Sequence, residues 1–237
     1  EIPGDLSGDI ELNNIRFGYD DKPVLDGINL HIRSGEYIGI VGPSGCGKST
    51  LFKLLLGFEK PQSGKIFYDS RDMESMDKRE LRKSLGVVLQ DGGLIPGSIY
   101  ENITITAPNI TYNRVKEIAA AVGLEKDIDE MPMGLHTLIG DESATLSGGQ
   151  IQRILIARAI AANPRILLFD EATSALDNIT QTKVCKSLDS MNVTRVVIAH
   201  RLSTVIGCDR IIVLNNGKIE EEGTFEQLMK EDGYFKK

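Results

Sequence analysis

The chain has 237 residues, and its 27 Lys and Arg against 34 Asp and Glu give a formal net charge of −7. Hydrophobic residues make up 41% and charged residues 26%, which is typical of a soluble globular protein and excludes a disordered chain, while the length predicts one large domain or two small ones. Because an acidic surface repels a polyanion, the composition also argues against broad nucleic-acid binding.

The sequence predicts neither a membrane span nor a disulfide framework. Its most apolar window, residues 154–169, is interrupted by arginines and a proline, whereas a spanning helix needs about 18 apolar residues in a row. We therefore expect any membrane role to come through a partner. Residues 1–5 lack the basic and apolar regions of a signal peptide and the initiator Met, which suggests an excised domain. Three scattered cysteines, Cys46, Cys185 and Cys208, indicate a reducing, cytosolic compartment.

Two kinds of strand are expected along the chain. Residues 10–17, 27–32 and 37–41 are rich in β-branched side chains and are separated by turn-forming residues. Later, at 166–169 and 196–199, nearly continuous apolar runs are typical of a parallel sheet that is covered on both faces. The later pattern, with helices between the strands, predicts an α/β fold.

A helix-rich segment separates these two groups of strands. Over residues 111–122, for example, apolar side chains recur at helical spacing. We expect residues of about 97–162 to form a helical subdomain, inserted into a core of about 1–96 and 163–237. The whole chain, 1–237, is then expected to form one domain.

A phosphate-loop pattern follows the third predicted strand and precedes a helix. Glycines let consecutive backbone amides turn towards a polyanion, and the helix N-terminus adds partial positive charge. Lys48 is placed to reach the outer phosphates of a nucleotide, and the Ser49 hydroxyl is suited to Mg²⁺. The alternative is a glycine-rich turn with an exposed lysine. Cys46 is either a thiol whose pKa is lowered by the helix N-terminus or a small residue that fits the turn. The motif comprises Gly42, Pro43, Ser44, Gly45, Cys46, Gly47, Lys48, Ser49 and Thr50.

A second helix N-terminus carries a similar set of groups. A hydroxyl and two glycine amides precede a helix predicted over residues 151–162, which makes a second candidate anion site. The alternative is an N-cap followed by a flexible turn. The motif comprises Leu146, Ser147, Gly148, Gly149 and Gln150.

Two acidic residues, Asp170 and Glu171, end the apolar strand at 166–169. In open α/β sheets ligands gather at the carboxyl ends of the strands, so Asp170 is placed for Mg²⁺ and Glu171 for polarising water. Taken alone, such a pair is more often solvated than catalytic. In a chain that also carries a phosphate loop, the catalytic interpretation is favoured.

In this order the motifs resemble the nucleotide-binding domain of ABC transporters, and the resemblance covers nearly the whole chain. It implies a P-loop ABC ATPase with a RecA-like parallel-sheet core, an N-terminal antiparallel β subdomain and an inserted α-helical subdomain. ATP and Mg²⁺ are the implied ligands. Residues 42–50 correspond to the Walker A motif and residues 146–150 to the family signature.

The resemblance also implies a role for single residues. It implies Tyr19 as the aromatic that stacks on adenine, with Val24 nearby, and it implies Ser49, Gln90 and Asp170 as the residues near Mg²⁺. Glu171 is the implied general base, Lys48 stabilises the phosphates, and His200 is the switch histidine near the γ-phosphate. The D-loop corresponds to Ser174, Ala175, Leu176 and Asp177. The plainer alternatives are a strand-end aromatic for Tyr19, a solvated turn residue for Gln90 and a core histidine for His200.

In this family two domains pair head to tail, and each ATP lies between the Walker A motif of one chain and the signature loop of the other. Ser147 and Gly149 would therefore serve the ATP of a second copy, and we expect a homodimer that does not bind nucleic acid. Residues 90–103 and 199–204 are similar to exporter cassettes, and the run 89–92 with 96–98 is similar to bacteriocin or peptide exporters of bacteria. This implies a transmembrane domain fused N-terminally, and a domain that is soluble alone but lies at the cytoplasmic face of the cell membrane.

Two departures from the exporter pattern stand out. Residues 140–144 lack the usual arginine before the signature, which puts contact with the partner's transmembrane loops in doubt, and Ile151 replaces a usual arginine just after it. Three alternatives remain: an importer ATPase on a separate polypeptide, a soluble ABC-type ATPase that acts on nucleic acid or ribosomes, and a regulatory half that binds ATP without hydrolysis.

Overall fold

The structure is a computed structural model that describes residues 6–20, 22–140, 146–199, 201–230 and 232–236. These residues form twelve strands: β1 Ile10–Tyr19, β2 Lys22–Ile32, β3 Tyr37–Val41, β4 Ser63–Tyr68, β5 Arg71–Asp72, β6 Leu85–Val88, β7 Gly97–Ser98, β8 Leu138–Ile139, β9 Ile166–Asp170, β10 Thr194–Ile198, β11 Arg210–Asn215 and β12 Lys218–Gly223. They also form nine α-helices: α1 Lys48–Leu55, α2 Lys78–Lys83, α3 Ile99–Thr104, α4 Tyr112–Ala121, α5 Glu125–Glu130, α6 Gly148–Ala161, α7 Asn178–Asp189, α8 Leu202–Val205 and α9 Phe225–Lys230. Within this described part of the chain, no helix combines the length and the apolar character that crossing a bilayer requires.

A six-stranded sheet in the order β12-β11-β3-β10-β9-β6 forms the centre of the fold. The strands from β11 to β6 pair in parallel, and β12 pairs with β11 in antiparallel orientation. Every residue of β9 and β10 is buried, because both faces of a parallel sheet are covered. The expectation of an α/β fold with a parallel-sheet core is confirmed.

The register of the central strands brings three chain segments to one edge of this sheet. Ile198 of β10 lies beside Ile40 of β3 on one side and beside Asp170 of β9 on the other. The loops that follow β3, β9 and β10 therefore leave the sheet at the same carboxyl edge, which is where ligands bind in open α/β sheets.

Two hydrophobic cores lie on opposite faces of the sheet, because alternate side chains of a strand point in opposite directions. Ile166 and Leu168 of β9 belong to the core that includes α1 and the antiparallel sheet β2-β1-β4-β5. Leu167 and Phe169 belong to the other core, which contains buried apolar residues of α3–α9. Burial of each of these large side chains contributes about 1.5–3 kcal/mol. The expected N-terminal antiparallel sheet is thus present and packed on the core.

Helices α3–α6 follow one another between β6 and β9, and α6 packs against α3, α4 and β6. Capping boxes begin two of them: Ser98 with Glu101 at α3, and Ser147 with Gln150 at α6. Helix α6 begins at Gly148 and not at residue 151 as predicted, because the capping box satisfies the amides of its first turn. The signature glycines are consequently helical.

Candidate active site

The phosphate loop connects β3 to α1, and its backbone requires glycine at two positions. Gly42 has φ 150°, and a Cβ there would lie 2.0 Å from the carbonyl oxygen of Leu214. Gly47, the residue before α1, has φ 110°, and a Cβ there would lie 2.7 Å from Leu25 Cδ2. The close contact with Leu214 joins the loop to β11, so the loop has a fixed position over the sheet.

Lys48 points back into this loop and is only 6% exposed. Its Nζ donates to the carbonyl oxygens of Gly42 at 2.8 Å and Pro43 at 3.0 Å. These two contacts compensate part of the cost of burying a cation and hold the ammonium at the mouth of the loop. Cys46 is also buried, with its Sγ 3.8 Å from Lys48 Nζ; its packing supports the interpretation of a small residue that fits the turn.

Asp170 ends β9 directly opposite the start of α1. The Ser49 hydroxyl donates to Asp170 Oδ2 at 3.3 Å, and Asp170 is 6% exposed. A carboxylate and a hydroxyl at this separation, beside a phosphate loop, are the protein ligands that Mg²⁺ uses together with nucleotide phosphates. The donor set therefore fits the implied metal.

Glu171 follows Asp170 with a left-handed backbone at φ 54°. A residue with a side chain is uncommon in this region, and such strain persists where the surroundings hold it in place. The Glu171 amide donates to Ile198 O at 3.2 Å, and its carbonyl accepts from the Ser174 amide at 3.0 Å. The chain is thus turned sharply at the sheet edge, where the Glu171 side chain lines the same cavity as Asp170.

A cavity of about 250 Å³ brings the predicted groups together. It is formed by the phosphate loop, the end of β9, Gln90 after β6, and Val24 of β2. The lining residues are Val24, Ser44, Gly45, Gly47, Lys48, Ser49, Thr50, Gln90, Asp170 and Glu171. The cavity collects a buried cation, two carboxylates, hydroxyls and loop amides, which together can bind a polyphosphate with a divalent cation.

Tyr19 lies outside the lining of this cavity, at the end of β1. Its ring packs edge-on against Phe17 with centroids 5.0 Å apart, and its hydroxyl accepts from Lys53 Nζ at 3.4 Å. Tyr19 is 40% exposed. It therefore offers an accessible aromatic face near α1, while Val24 of the neighbouring strand reaches the cavity itself.

The signature residues also lie outside the cavity. The Ser147 hydroxyl accepts from the Gln150 amide at 3.2 Å, and the Gln150 side chain accepts from the Ser147 amide at 2.9 Å. Ser147 and Gly148 are exposed and Gly149 and Gln150 are half-buried, whereas Leu146 packs against the core. Within one chain the two candidate anion sites are therefore separate.

The predicted D-loop connects Glu171 to α7. Leu176 is buried, and Asp177 caps α7 by accepting from the amides of Ile179 and Thr180, both at 3.0 Å. Backbone and hydroxyl hydrogen bonds from Thr180 hold the pKa of the Asp177 carboxyl below its usual value. Ser174 and Ala175 precede this cap and pack against the first two turns of α6.

Two of the predictions fall where the structure makes no description. His200, the predicted switch histidine, and residues 141–145, which contain most of the departure before the signature, lie outside the described residues. The residue before His200, Ala199, donates its amide to Ile40 O at 3.1 Å, so the chain leaves β10 at the carboxyl edge of the sheet. Ile151 is half-buried and packs against the core.

Sequence reasoning missed three polar residues that position the signature segment. Asp127 of α5 accepts from Gln150 Nε2 and from Arg153 Nη1, each at 2.7 Å. Gln152 contacts the segment after β9. These contacts join residues about twenty or more positions apart, and no local pattern in the sequence marks them.

Comparison with known proteins supports the geometry. A family model described as "ABC transporter" matches residues 25–174. The chain is 46% identical over 236 residues to the alpha-hemolysin translocation ATP-binding protein HlyB of Escherichia coli O157:H7, covering 98% of this chain and 33% of that protein. It is also 46% identical over 232 residues to the leukotoxin export ATP-binding protein LtxB of Aggregatibacter actinomycetemcomitans, covering 96% and 33%. The chain thus spans about a third of the length of these relatives.

A solved structure of a bacterial Atm1-family ABC exporter with ATP bound has the same fold. The TM-score is 0.93 at 37% identity, over 97% of this chain and 41% of that chain. The resemblance inferred from the motifs is confirmed, since the family match extends over more than half of the residues and relatives align along almost all of them. By its sequence, its fold and its phosphate loop, this chain belongs to the ABC transporter family.

Proposed function

We propose that this chain is the ATP-hydrolysing domain of an ABC exporter. The observation that carries the proposal is that Lys48, Ser49, Asp170 and Glu171, from two distant segments, line one cavity at the carboxyl edge of the parallel sheet. Family membership supports it, because ABC transporter ATP-binding proteins are ATPases. Residues 97–162 act in this proposal as the helical subdomain, and residues 1–96 and 163–237 as the core.

The phosphate loop binds the triphosphate in this proposal. Its amides and Lys48 Nζ neutralise the phosphate oxygens, and Lys48 exchanges its contacts with the loop carbonyls for contacts with phosphate. Ser49, Asp170 and Gln90 would hold Mg²⁺, which would supply neutralisation of phosphate charge. Tyr19 stacks on the adenine ring, beside Val24.

Glu171 is the general base. A water oxygen attacks the γ-phosphorus in line, the bond to the bridging oxygen breaks, ADP leaves, and the proton of the water passes to the Glu171 carboxylate. The hydrogen bonds to the Glu171 backbone support this role, because they fix the position of its Cα relative to Asp170. His200 is assigned to the γ-phosphate by the resemblance alone.

The second half of the ATP site comes from a second copy of the chain. Ser147 and Gly149 do not line the cavity of their own chain, and the exposed Ser147 with the partly exposed Gly149 can reach the nucleotide of a partner. The γ-phosphate then joins a phosphate loop to the opposing signature helix. Hydrolysis removes the bridging charge, so ATP closes the homodimer and hydrolysis reopens it.

Export is the function that the relatives favour. HlyB and LtxB are named for translocation of alpha-hemolysin and export of leukotoxin, and the chain spans about a third of each. We propose a transmembrane domain on the same polypeptide, N-terminal to this one, a position at the cytoplasmic face of the membrane, and a peptide or protein as the exported substrate. Neither the importer nor the nucleic-acid ATPase is favoured by the relatives.

A titration of ATPase rate against protein concentration tests the proposal. We expect Mg²⁺-dependent hydrolysis whose specific activity rises with concentration, because two copies form each site. Glu171→Gln should abolish hydrolysis and migrate as a dimer with ATP during sizing. Glu130→Gln, an exposed acidic residue at the end of α5, is the matched control. A Glu171→Gln protein that hydrolyses ATP at the wild-type rate would remove Glu171 from its role.

A further inference from the structure

Gln152 lies in the second turn of α6, and its side chain reaches across to the segment that follows β9. Its Oε1 accepts from the Ala175 amide at 2.8 Å. Its Nε2 donates to Ser174 Oγ at 2.9 Å and to the Glu171 carbonyl at 3.3 Å. One amide side chain therefore satisfies three groups in the five residues from 171 to 175.

The hydrogen bond from Gln152 to the Glu171 carbonyl holds a residue whose backbone is strained. Glu171 has φ 54°, and a conformation of this kind costs about 1–3 kcal/mol unless neighbouring contacts hold it. The amide side of Glu171 is held by Ile198 O, and the carbonyl side by the Ser174 amide and by Gln152. Of these three contacts, that of Gln152 comes from the helix that carries the signature.

The first turn of α6 also packs directly on the D-loop. A Cβ at Gly148 would lie 3.5 Å from Ala175 Cβ, and a Cβ at Gly149 would lie 3.3 Å from Ala175 O. A displacement of the first turn therefore moves Ala175, and Gln152 links the same helix to Ala175, Ser174 and Glu171 by hydrogen bonds. The signature end of α6 and the segment after β9 form one packed unit.

We propose that Gln152 is a positioning residue that couples the signature helix to the general base of the same chain. The inference rests on the proposed function. When the γ-phosphate held by a second copy engages the start of α6, the shift of this helix reaches the Glu171 backbone through Gln152. Each chain then adjusts its own base according to whether the opposite site holds ATP.

Two variants separate this role from packing alone. Gln152→Met keeps the length of the side chain and removes all three hydrogen bonds. Gln152→Glu keeps an acceptor for the Ala175 amide but places an oxygen where the donor faces the Glu171 carbonyl. Gln227→Met is the matched control, because Gln227 hydrogen-bonds to Thr224 at the start of α9 and α9 contributes no residue to the cavity.

The experiment measures kcat, KM for ATP, nucleotide affinity and melting temperature for each protein. For Gln152→Met and Gln152→Glu we expect kcat to fall by about tenfold or more, as misplacement of a catalytic group does, with KM and nucleotide affinity unchanged. The melting temperature should change no more than that of Gln227→Met. A residue that only packs α6 would lower stability and affinity together with kcat.

A wild-type kcat in either Gln152 variant would overturn the inference, as would a loss of kcat that is matched by an equal loss of nucleotide affinity. Failure of the proposed function gives a different result: the wild-type chain would not hydrolyse ATP, or Glu171→Gln would be as active as wild type. A wild-type chain that is active, an inactive Glu171→Gln and a fully active Gln152→Met would reject the positioning role alone.

Discussion

Asp127 holds the first turn of the signature helix through two charge-assisted hydrogen bonds. Its carboxylate accepts from Gln150 Nε2 and from Arg153 Nη1, both at 2.7 Å. The side chains of Asp127 and Arg153 are 23% and 13% exposed, so water only partly screens the pair. Asp127→Ala removes both bonds and leaves the Arg153 guanidinium with its contacts to the Gly123 and Gly149 carbonyls.

The loss of stability expected for Asp127→Ala follows from these contacts. A hydrogen bond to a charged group contributes about 1.5–3 kcal/mol, and partial exposure of Asp127 places the total for this pair at about 2–3 kcal/mol. In a protein of this size each kcal/mol lowers the melting temperature by about 2–4 °C. Asp127→Ala should therefore lower it by about 4–12 °C.

Thermal and urea unfolding of three variants would measure this effect. Asp127→Asn retains one acceptor oxygen and should fall between wild type and Asp127→Ala. Asp129→Ala, at an exposed position of the same helix, controls for the loss of one negative charge. Equal melting temperatures for Asp127→Ala and Asp129→Ala would refute the view that Asp127 anchors the signature helix.

Three further predictions follow from single contacts. Gly42→Ala should destabilise the protein by about 3 kcal/mol or more in urea unfolding, because its Cβ would meet Leu214 O at 2.0 Å. The control Gly45→Ala has open space around its Cβ, so only its positive φ destabilises it, by about 1 kcal/mol. Ser49→Ala should weaken nucleotide binding about tenfold or more with Mg²⁺ and leave binding without Mg²⁺ unchanged in a fluorescence titration, and equal losses in both would contradict the metal assignment. Burial raises the pKa of the Asp69 carboxyl, but hydrogen bonds from Ser7, Asp9 and Gly8 outweigh it and hold the pKa below its usual value of 3.8. The stability that the Asp69 carboxylate adds to the fold is therefore complete above that value and is lost as the pH falls through the lowered pKa. The excess stability of wild type over Asp69→Asn should shrink in acid. A difference that does not change with pH would count against the carboxylate contacts.

Local patterns were sufficient to predict the α/β fold, the phosphate loop and the acidic pair, whereas Val24 and Gln90 of the cavity were expected only from the family resemblance. These patterns depend only on residues close together in the chain. The apolar run before Asp170 predicts a strand, and the glycine pattern of residues 42–50 predicts a turn followed by a helix. The parallel register that brings Asp170 beside the phosphate loop was an inference from the general behaviour of α/β sheets, and the structure has that arrangement.

Two features were not predicted, for different reasons. The left-handed backbone of Glu171 depends on hydrogen bonds to Ile198 and Gln152, which are distant in the chain, and the pattern of a single segment contains no information on such partners. The start of α6 at Gly148 depends on the reciprocal bonds of Ser147 and Gln150, which overcome the poor helix propensity of two glycines. These two residues are three positions apart, so the helix start was a local signal that the sequence-based prediction did not use.

The shared ATP site is the central claim, and mixing two inactive variants tests it most directly. Lys48→Met disables the phosphate loop of its own chain, and Ser147→Arg disables the signature offered to a partner. In a mixed dimer one site then holds both defects and the other holds neither. We predict that each variant alone is inactive and that an equal mixture regains activity, up to about a quarter of the wild-type ATPase rate, because half of the dimers are mixed and each has one intact site. The rate is lower than a quarter to the extent that the base of the intact site, in the Ser147→Arg chain, depends on that chain's own signature helix. A mixture that contains mixed dimers by sizing and remains inactive would contradict the head-to-tail site.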